Sequence, residues 1–132
     1  MDLGYHFGQK LSRGSIVCLF GELGAGKTTF VKGLASGAAG TNPVQICSPT
    51  FVYLNIYQGR QTIYHFDLYR LKNEQDFVLL GFEEFLYGDG ISVIEWPERI
   101  SSILSKNTQL IELSYLPQGR EALVGSWGDH EV

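Results

Sequence analysis

The sequence predicts an α/β fold: a mixed sheet with a parallel core and antiparallel hairpins, flanked by helices. Short apolar runs, such as 16–20 and 91–96, are typical of strands buried on both faces in a parallel sheet. Elsewhere, paired runs rich in Val, Ile, Tyr and Phe surround glycine-containing turns, which is typical of antiparallel hairpins. At 132 residues the chain is expected to be one domain, 1–132, with a single core.

The first half of the chain supplies helices and strands in alternation. Apolar residues spaced four apart predict a short helix within 2–12, and the run "IVCLF" at 16–20 predicts a buried strand. A glycine-rich loop follows, and the next helix is expected from Lys27 to about Ser36. Two β-rich runs on either side of "QGRQ" predict a hairpin within 51–71.

The second half continues the same alternation. Residues 73–88 are predicted to form one helix, with Asn73 as its N-cap and Gly88 near its end. The run 91–96 is predicted to be a buried strand, and a short helix is expected to begin at Pro97. Two final runs around "PQGR" predict a second hairpin.

The composition argues against several classes of partner. The chain carries 10 Lys and Arg against 14 Asp and Glu, a formal net charge of −4, and it has no basic stripe. Direct tight binding to DNA or tRNA is therefore disfavoured. No apolar run is long enough to span a membrane and no signal peptide is recognisable, so no membrane association is expected and a cytoplasmic location is predicted. Cys18 and Cys47 lack metal-ligand spacing and are interpreted as reduced packing residues.

The segment "GELGAGKTTF", residues 21–30, matches the phosphate-binding pattern G-x-x-x-x-G-K-[ST] through Gly21, Gly26, Lys27 and Thr28. Glycines allow successive backbone N–H groups to face phosphate oxygens, and the helix that follows adds its positive N-terminus. A chance match is disfavoured because the motif follows a predicted strand and begins a predicted helix. The fold is therefore expected to be P-loop NTPase-like.

The motif also predicts how a nucleotide is held. Lys27 is expected to bridge the β- and γ-phosphates, and the Thr28 hydroxyl is expected to bind Mg²⁺. ATP is favoured over GTP because the chain has no N-K-x-D tetrapeptide, the sequence that recognises guanine. The predicted nucleotide-binding residues of this segment are Gly21, Glu22, Leu23, Gly24, Ala25, Gly26, Lys27, Thr28 and Thr29.

Two carboxylates at the ends of strand-like runs are candidates for catalysis, because hydrolysis needs an acidic residue near the metal. Glu95 ends "ISVIE" and is predicted to be both a metal ligand and a catalytic residue. Asp67 ends "TIYHFD" and is the second catalytic candidate. Each also has a simpler interpretation as a solvated carboxylate that follows a strand. His65 could act as a base, but it is interpreted first as a packed core residue.

Two more residues are predicted to contact the nucleotide. Thr50, in "SPT", offers a hydroxyl that could reach the metal or the γ-phosphate as switch loops do, or it is an ordinary residue at the start of a strand. Trp96 follows Glu95 directly and either fills the core or covers the nucleotide.

Four segments, "GELGAGKTTFVKGLA", "SPTF", "HFDLYRL" and "IEWPER", occur together in this chain. In this order they resemble the signature blocks of the bacterial TsaE (YjeE) family. The resemblance covers most of the chain, and four matching blocks are far more specific than the phosphate-binding motif alone.

The resemblance implies a P-loop ATPase required for the threonylcarbamoyladenosine modification of tRNA. It also implies that the chain acts with the TsaB–TsaD pair, in which TsaD transfers the threonylcarbamoyl group to adenosine, so that tRNA is involved only indirectly. Weak ATPase activity in isolation is expected because a partner would complete the site. The residues that carry over from the matching blocks are Lys27 and Thr28 for phosphate and Mg²⁺, Thr50 and Asp67 as switch-like residues, and Glu95 for metal binding and catalysis, with Trp96 beside it.

Two other classes of function remain open. A small-molecule or nucleoside kinase would need an acceptor pocket and a cationic lid, and its ATP turnover would rise with a hydroxylated metabolite. The chain has no arginine-rich lid segment of that kind. In a non-hydrolysing nucleotide sensor, Glu95 would be only structural. Single-turnover hydrolysis measured with and without candidate partners separates a sensor from an ATPase.

Lys27→Ala is expected to weaken ATP binding by about 10- to 100-fold, because a charge-assisted contact with the phosphates contributes roughly 1.5–3 kcal/mol. Isothermal titration calorimetry measures this change. Lys32→Ala removes a lysine outside the motif and should keep the parental affinity. Unchanged ATP affinity in Lys27→Ala would reject the phosphate-binding assignment.

Overall fold

A computed structural model of the chain describes residues 2–21, 27–40, 44–46, 53–105, 108–116 and 119–126. Within these residues the predicted α/β class is confirmed, with helices packed on a mixed sheet that has a parallel centre and antiparallel outer pairs. No helix in the described part of the chain has the length and apolar character needed to cross a bilayer.

The strands of the described residues are β1 (Ile16–Gly21), β2 (Val44–Ile46), β3 (Leu54–Gln58), β4 (Ile63–Asp67), β5 (Ile91–Glu95), β6 (Gln109–Leu116) and β7 (Gly119–Ser126). They form one sheet in the order β2-β3-β4-β5-β1-β6-β7. The central pairs β4–β5, β5–β1 and β1–β6 are parallel, whereas β2–β3, β3–β4 and β6–β7 are antiparallel. Both predicted hairpins are therefore confirmed, as β3–β4 and β6–β7.

The helices of the described residues are α1 (Asp2–Gln9), α2 (Lys27–Ala39), α3 (Glu74–Leu79), α4 (Glu83–Leu86) and a 3₁₀ helix (Pro97–Ile100). The prediction of one helix over 73–88 is wrong, because the chain turns between α3 and α4. Gly81 in this turn has a φ of +77°, a left-handed conformation that glycine adopts without steric cost. Asn73 is confirmed as the N-cap of α3, since its Oδ1 accepts the backbone N–H of Asp76 at 2.9 Å.

Other elements differ from the predictions at their ends. Helix α1 stops at Gln9, and α2 continues to Ala39. Strand β5 ends at Glu95 because the left-handed backbone of Trp96 cannot extend a strand. Strand β2 was not predicted, since three residues are too few to show an alternating pattern.

One face of the sheet is covered by α2, against which α1 packs. Alternate residues of the central strands point toward this layer, as the two-residue repeat of a strand requires. The buried residues of this core are Leu11, Val17, Leu19, Phe30, Val31, Leu34, Ala35, Ala38, Ala39, Ile63, Ile91, Val93 and Ile111.

The opposite face is covered by α3, α4 and the 3₁₀ helix. The rings of Phe66, Phe77 and Phe82 pack against one another here, with centroids 5.5 to 5.6 Å apart. The buried residues of this second core are Cys18, Leu54, Ile56, Phe66, Leu68, Leu71, Phe77, Phe82, Leu86, Ile94, Ile100 and Leu104.

Helices α1 and α2 approach each other until their backbones touch. A Cβ atom at Gly8 would overlap the carbonyl oxygen of Leu34, and one at Gly37 would overlap the carbonyl oxygen of Tyr5. A side chain at either position would collide with backbone, which cannot rotate away. Glycine at these positions therefore sets the distance between the two helices.

Gly8→Ala is expected to lower the free energy of unfolding by about 1–3 kcal/mol, because the added methyl group forces the two helix backbones apart. Urea titration of the parent and variant measures this change. Gln9→Ala, at an exposed position of the same helix, is the matched control and should stay within about 0.5 kcal/mol of the parent. A Gly8→Ala variant more stable than the parent, as helix propensity alone predicts, would contradict the close backbone contact.

Candidate functional site

Three parallel strands bring the candidate residues to one edge of the sheet. The carboxyl ends of β1, β4 and β5 lie together because these strands run in the same direction. Glu95 is in register with Asp67 on one side and with Leu19 on the other. Strand β1 then ends at Gly21, the first residue of the phosphate-binding motif, and α2 begins at Lys27. The predicted catalytic residues and the first residue of the motif therefore lie at this edge.

Several predicted residues lie outside what the structure describes. Gly21 ends β1 and Thr29 lies in the first turn of α2, where it is half-buried. The helical backbone of Lys27 and Thr28 is described, but their side chains are not. The predicted residues outside the described part of the chain are Glu22, Leu23, Gly24, Ala25, Gly26 and Thr50.

Glu95 is a buried acid, with 7% of its surface exposed. It lies on the same face of β5 as Val93, which belongs to the core beneath α2. Its Oε2 is 2.6 Å from Nε2 of His65, on the neighbouring strand β4. This distance is at the short end of the range for a hydrogen bond between nitrogen and oxygen. A carboxylate buried to this degree is costly unless it has such a partner, so the contact offsets part of the cost of burial.

His65 is itself buried, with 8% of its surface exposed, so its interpretation as a core residue is confirmed. Sequence reasoning missed its contact with Glu95. An ionised carboxylate can only accept hydrogen bonds, so toward an ionised Glu95 the Nε2 nitrogen of His65 would donate its N–H. The other ring nitrogen, Nδ1, is buried and has no hydrogen-bond partner among the described residues.

Asp67 has a different environment although it is in register with Glu95. Its side chain is exposed, and Oδ1 accepts the backbone N–H of Tyr69 at 3.3 Å. The backbone N–H of Asp67 donates to the carbonyl oxygen of Tyr53 at 2.9 Å, which ties the end of β4 to the residue before β3. The edge of the sheet therefore carries one buried and one exposed carboxylate side by side.

Trp96 leaves the sheet in a strained conformation. Its φ of 62° and ψ of 49° are left-handed, and it is the only non-glycine residue with positive φ in the described part of the chain. The residue is 37% exposed, the centroid of its ring lies 5.0 Å from that of Tyr69, and the Arg99 guanidinium lies 5.8 Å from the Trp96 centroid. Arg99 also donates to the carbonyl oxygen of Tyr69 at 3.1 Å. Trp96 is thus a surface residue beside the site, not core filling, and its contact with a nucleotide stays a prediction.

Cys18 lies in the middle of β1, and its side chain is buried on the face of the sheet opposite α2. Desolvation by burial, with a smaller contribution from the charge of Glu98, raises the pKa of its thiol far above its usual value. It therefore stays protonated and unreactive, as expected for a packing residue. Cys47 lies outside the described residues.

Comparison with known proteins identifies relatives over most of the chain. The model of the family described as "Threonylcarbamoyl adenosine biosynthesis protein TsaE" matches residues 1–122. The tRNA threonylcarbamoyladenosine biosynthesis protein TsaE of Treponema pallidum is 47% identical over 116 residues, which is 88% of this chain and 84% of that relative.

A second relative and a solved structure agree with this match. The protein of the same name from Nostoc sp. is 46% identical over 105 residues, which is 76% of this chain and 63% of the relative, so the match spans less than two thirds of that protein's length. The crystal structure of Bacillus subtilis YdiB superposes with a TM-score of 0.74 and 28% identity, and the match covers 97% of this chain and 78% of that one.

Proposed function

The chain belongs to the TsaE family of tRNA threonylcarbamoyladenosine biosynthesis, and from this premise we propose that it is the component that binds and hydrolyses ATP. We further propose that it acts with the TsaB–TsaD complex and contacts tRNA only through that complex. The observation that carries the hydrolytic part of the proposal is the position of Glu95. Its carboxylate is buried at the sheet edge where the phosphate-binding motif follows β1.

The phosphates of ATP would be held by the motif between β1 and α2. Backbone N–H groups at the start of α2 and the positive end of the helix attract phosphate oxygens. Lys27 would contact the β- and γ-phosphates, and Thr28 would contribute its hydroxyl to the metal. The glycines at 21, 24 and 26 would let the backbone approach the phosphates closely.

The donors available at this edge fit Mg²⁺. No cluster of three His, Cys, Asp or Glu side chains able to hold a metal occurs among the described residues. Mg²⁺ does not need one, because it usually takes one or two carboxylates together with phosphate oxygens and water. Glu95 and the Thr28 hydroxyl would hold the ion, which when bound would neutralise phosphate charge.

Hydrolysis requires that a water molecule be oriented toward the γ-phosphate. Glu95 would orient this water or accept its proton, because its carboxylate lies at the edge where ligands of open α/β sheets bind. Asp67, exposed and in register with Glu95, would assist as a switch-like residue together with Thr50. The partly exposed ring of Trp96 would cover the bound nucleotide.

Partner proteins would complete the site. Asp67, Tyr69 and Trp96 are exposed at the carboxyl edge, where a partner could contact them and the nucleotide together. The net charge of −4 disfavours direct binding to the tRNA backbone. Weak activity of the isolated chain and higher activity in the complex would follow.

Glu95→Gln is expected to reduce ATP hydrolysis by about 100-fold or more, because an oriented carboxylate typically contributes 10²–10⁴-fold to rate. Binding of ATP should be retained, since the motif still holds the phosphates. Single-turnover hydrolysis with TsaB–TsaD present measures the rate, and calorimetry measures the affinity. Glu98→Gln removes an exposed carboxylate three residues away and should keep the parental rate.

Hydrolysis at the parental rate in Glu95→Gln would mean that Glu95 is structural. Asp67 would then be the better catalytic candidate, and Asp67→Asn tests it in the same assay. If neither variant is slower than a hydrolysing parent, other residues carry the reaction; if the parent does not hydrolyse ATP with or without TsaB–TsaD, the chain is a nucleotide sensor.

The chain is expected to bind immobilised TsaB–TsaD more strongly with ATP than without it, and to bind free tRNA poorly. A pull-down with and without ATP measures the first, and a filter assay at physiological salt measures the second. Lys27→Ala is the matched control, because a chain that binds ATP more weakly should show a smaller effect of ATP on binding. Retention of bare tRNA by a chain that ignores the protein pair would contradict the proposal.

A further inference from the structure

His65 and Glu95 form a buried, hydrogen-bonded pair beside the candidate site. The two residues lie on adjacent parallel strands, where His65 is in register with Val93, two residues before Glu95. Both side chains point to the α2 face, and Nε2 of His65 lies 2.6 Å from Oε2 of Glu95. Both are almost fully buried. The hydrogen bond is therefore shielded from water. Inside a protein a hydrogen bond is electrostatically stronger than it is in water.

The final torsion of a glutamate side chain is broad, so burial alone does not fix the plane of its carboxylate. A hydrogen bond between the planar ring of His65 and Oε2 of Glu95 restricts this torsion. His65 lies on β4, whose backbone is paired with β3 on one side and β5 on the other, and its side chain is buried. His65 is thus placed to select one orientation of the Glu95 carboxylate.

Asp67 provides an internal comparison. It is in register with Glu95 at the same edge, but it is exposed, and its Oδ1 accepts the backbone N–H of Tyr69 at 3.3 Å. At an exposed position this contact competes with water. The short buried bond belongs to the carboxylate that the proposed reaction needs in one position.

We propose that His65 is a positioning residue, which orients the Glu95 carboxylate for ATP hydrolysis by donating a hydrogen bond from Nε2. This inference depends on the proposed role of Glu95. Removing a residue that hydrogen-bonds to a metal ligand and orients it typically lowers metal affinity or activity by about 10- to 100-fold. His65 would not touch the nucleotide, so its loss should lower kcat and leave KM for ATP almost unchanged.

Two amide variants separate this role from simple core packing. In His65→Gln the side-chain amide reaches about as far as Nε2 and can still donate to Glu95. In His65→Asn the same amide is one methylene shorter and falls short of Glu95. With TsaB–TsaD and Mg²⁺–ATP, we expect kcat to fall about 10- to 100-fold in His65→Asn and to recover most of that loss in His65→Gln.

The same assay distinguishes failure of this inference from failure of the proposed function. Suppose that Glu95→Gln is slow. If both His65 variants are then as fast as the parent, or if His65→Gln is as slow as His65→Asn, only the positioning role is wrong. If Glu95→Gln hydrolyses ATP at the parental rate, the proposed catalytic role of Glu95 is wrong and its positioning by His65 has no function; if the parent itself does not hydrolyse ATP, the proposed function is wrong. His65→Asn added to Glu95→Gln should cost little further activity, because the two residues act through one contact.

A second measurement needs no His65 variant and no activity. Nitrogen-15 NMR of the His65 ring in the full chain should show the proton on Nε2, and this signal should shift in Glu95→Gln. A neutral ring protonated at Nδ1, or an Nε2 signal that does not respond to Glu95→Gln, would overturn the proposal.

Discussion

The parallel pairing of β5 with β4 on one side and β1 on the other holds the candidate site together. All five residues of β5 are buried, and they contribute to both faces of the sheet. A slip of one residue would move Glu95 to the opposite face and bury Ile94 beneath α2 in its place. Because both faces are packed, such a slip would disturb two cores at once. The register that brings Glu95 beside His65, Asp67 and the end of β1 is therefore fixed by burial.

The helical layers on the two faces of the sheet support different parts of the candidate site. On the α2 side, Gly8 and Gly37 allow the backbone of α1 to pack directly against α2. Helix α2 begins within the phosphate-binding motif. On the other side, the packed rings of Phe66, Phe77 and Phe82 support β4, the strand that carries His65 and Asp67. Residues at the sheet edge are thus supported by rigid packing from both directions, which precise placement of reactive groups requires.

Local patterns made much of this fold predictable. Strands β1 and β5 could be recognised because a strand buried on both faces is apolar along most of its length. The Asn73 cap could be recognised because its hydrogen bond joins residues only three apart in the sequence. The break at Gly81 was missed because apolar residues continue on both sides of it. The pairing of His65 with Glu95 could not be predicted, since the two lie 30 residues apart and only the order of the strands brings them together. Asp67 and Glu95 look alike in sequence, and their different burial is likewise a property of the sheet.

The strand order also has a consequence for how the protein forms during translation. The hairpin β3–β4 joins residues that are close in the chain, so it can form soon after synthesis. Strand β1 is made early, yet Ile16 pairs with Ser92 and Val17 with Gln109. Its partners on both sides are thus synthesised much later, and the central strand stays unpaired on the ribosome until most of the chain has emerged. Contacts of such long range slow folding and leave an apolar strand exposed to aggregation meanwhile.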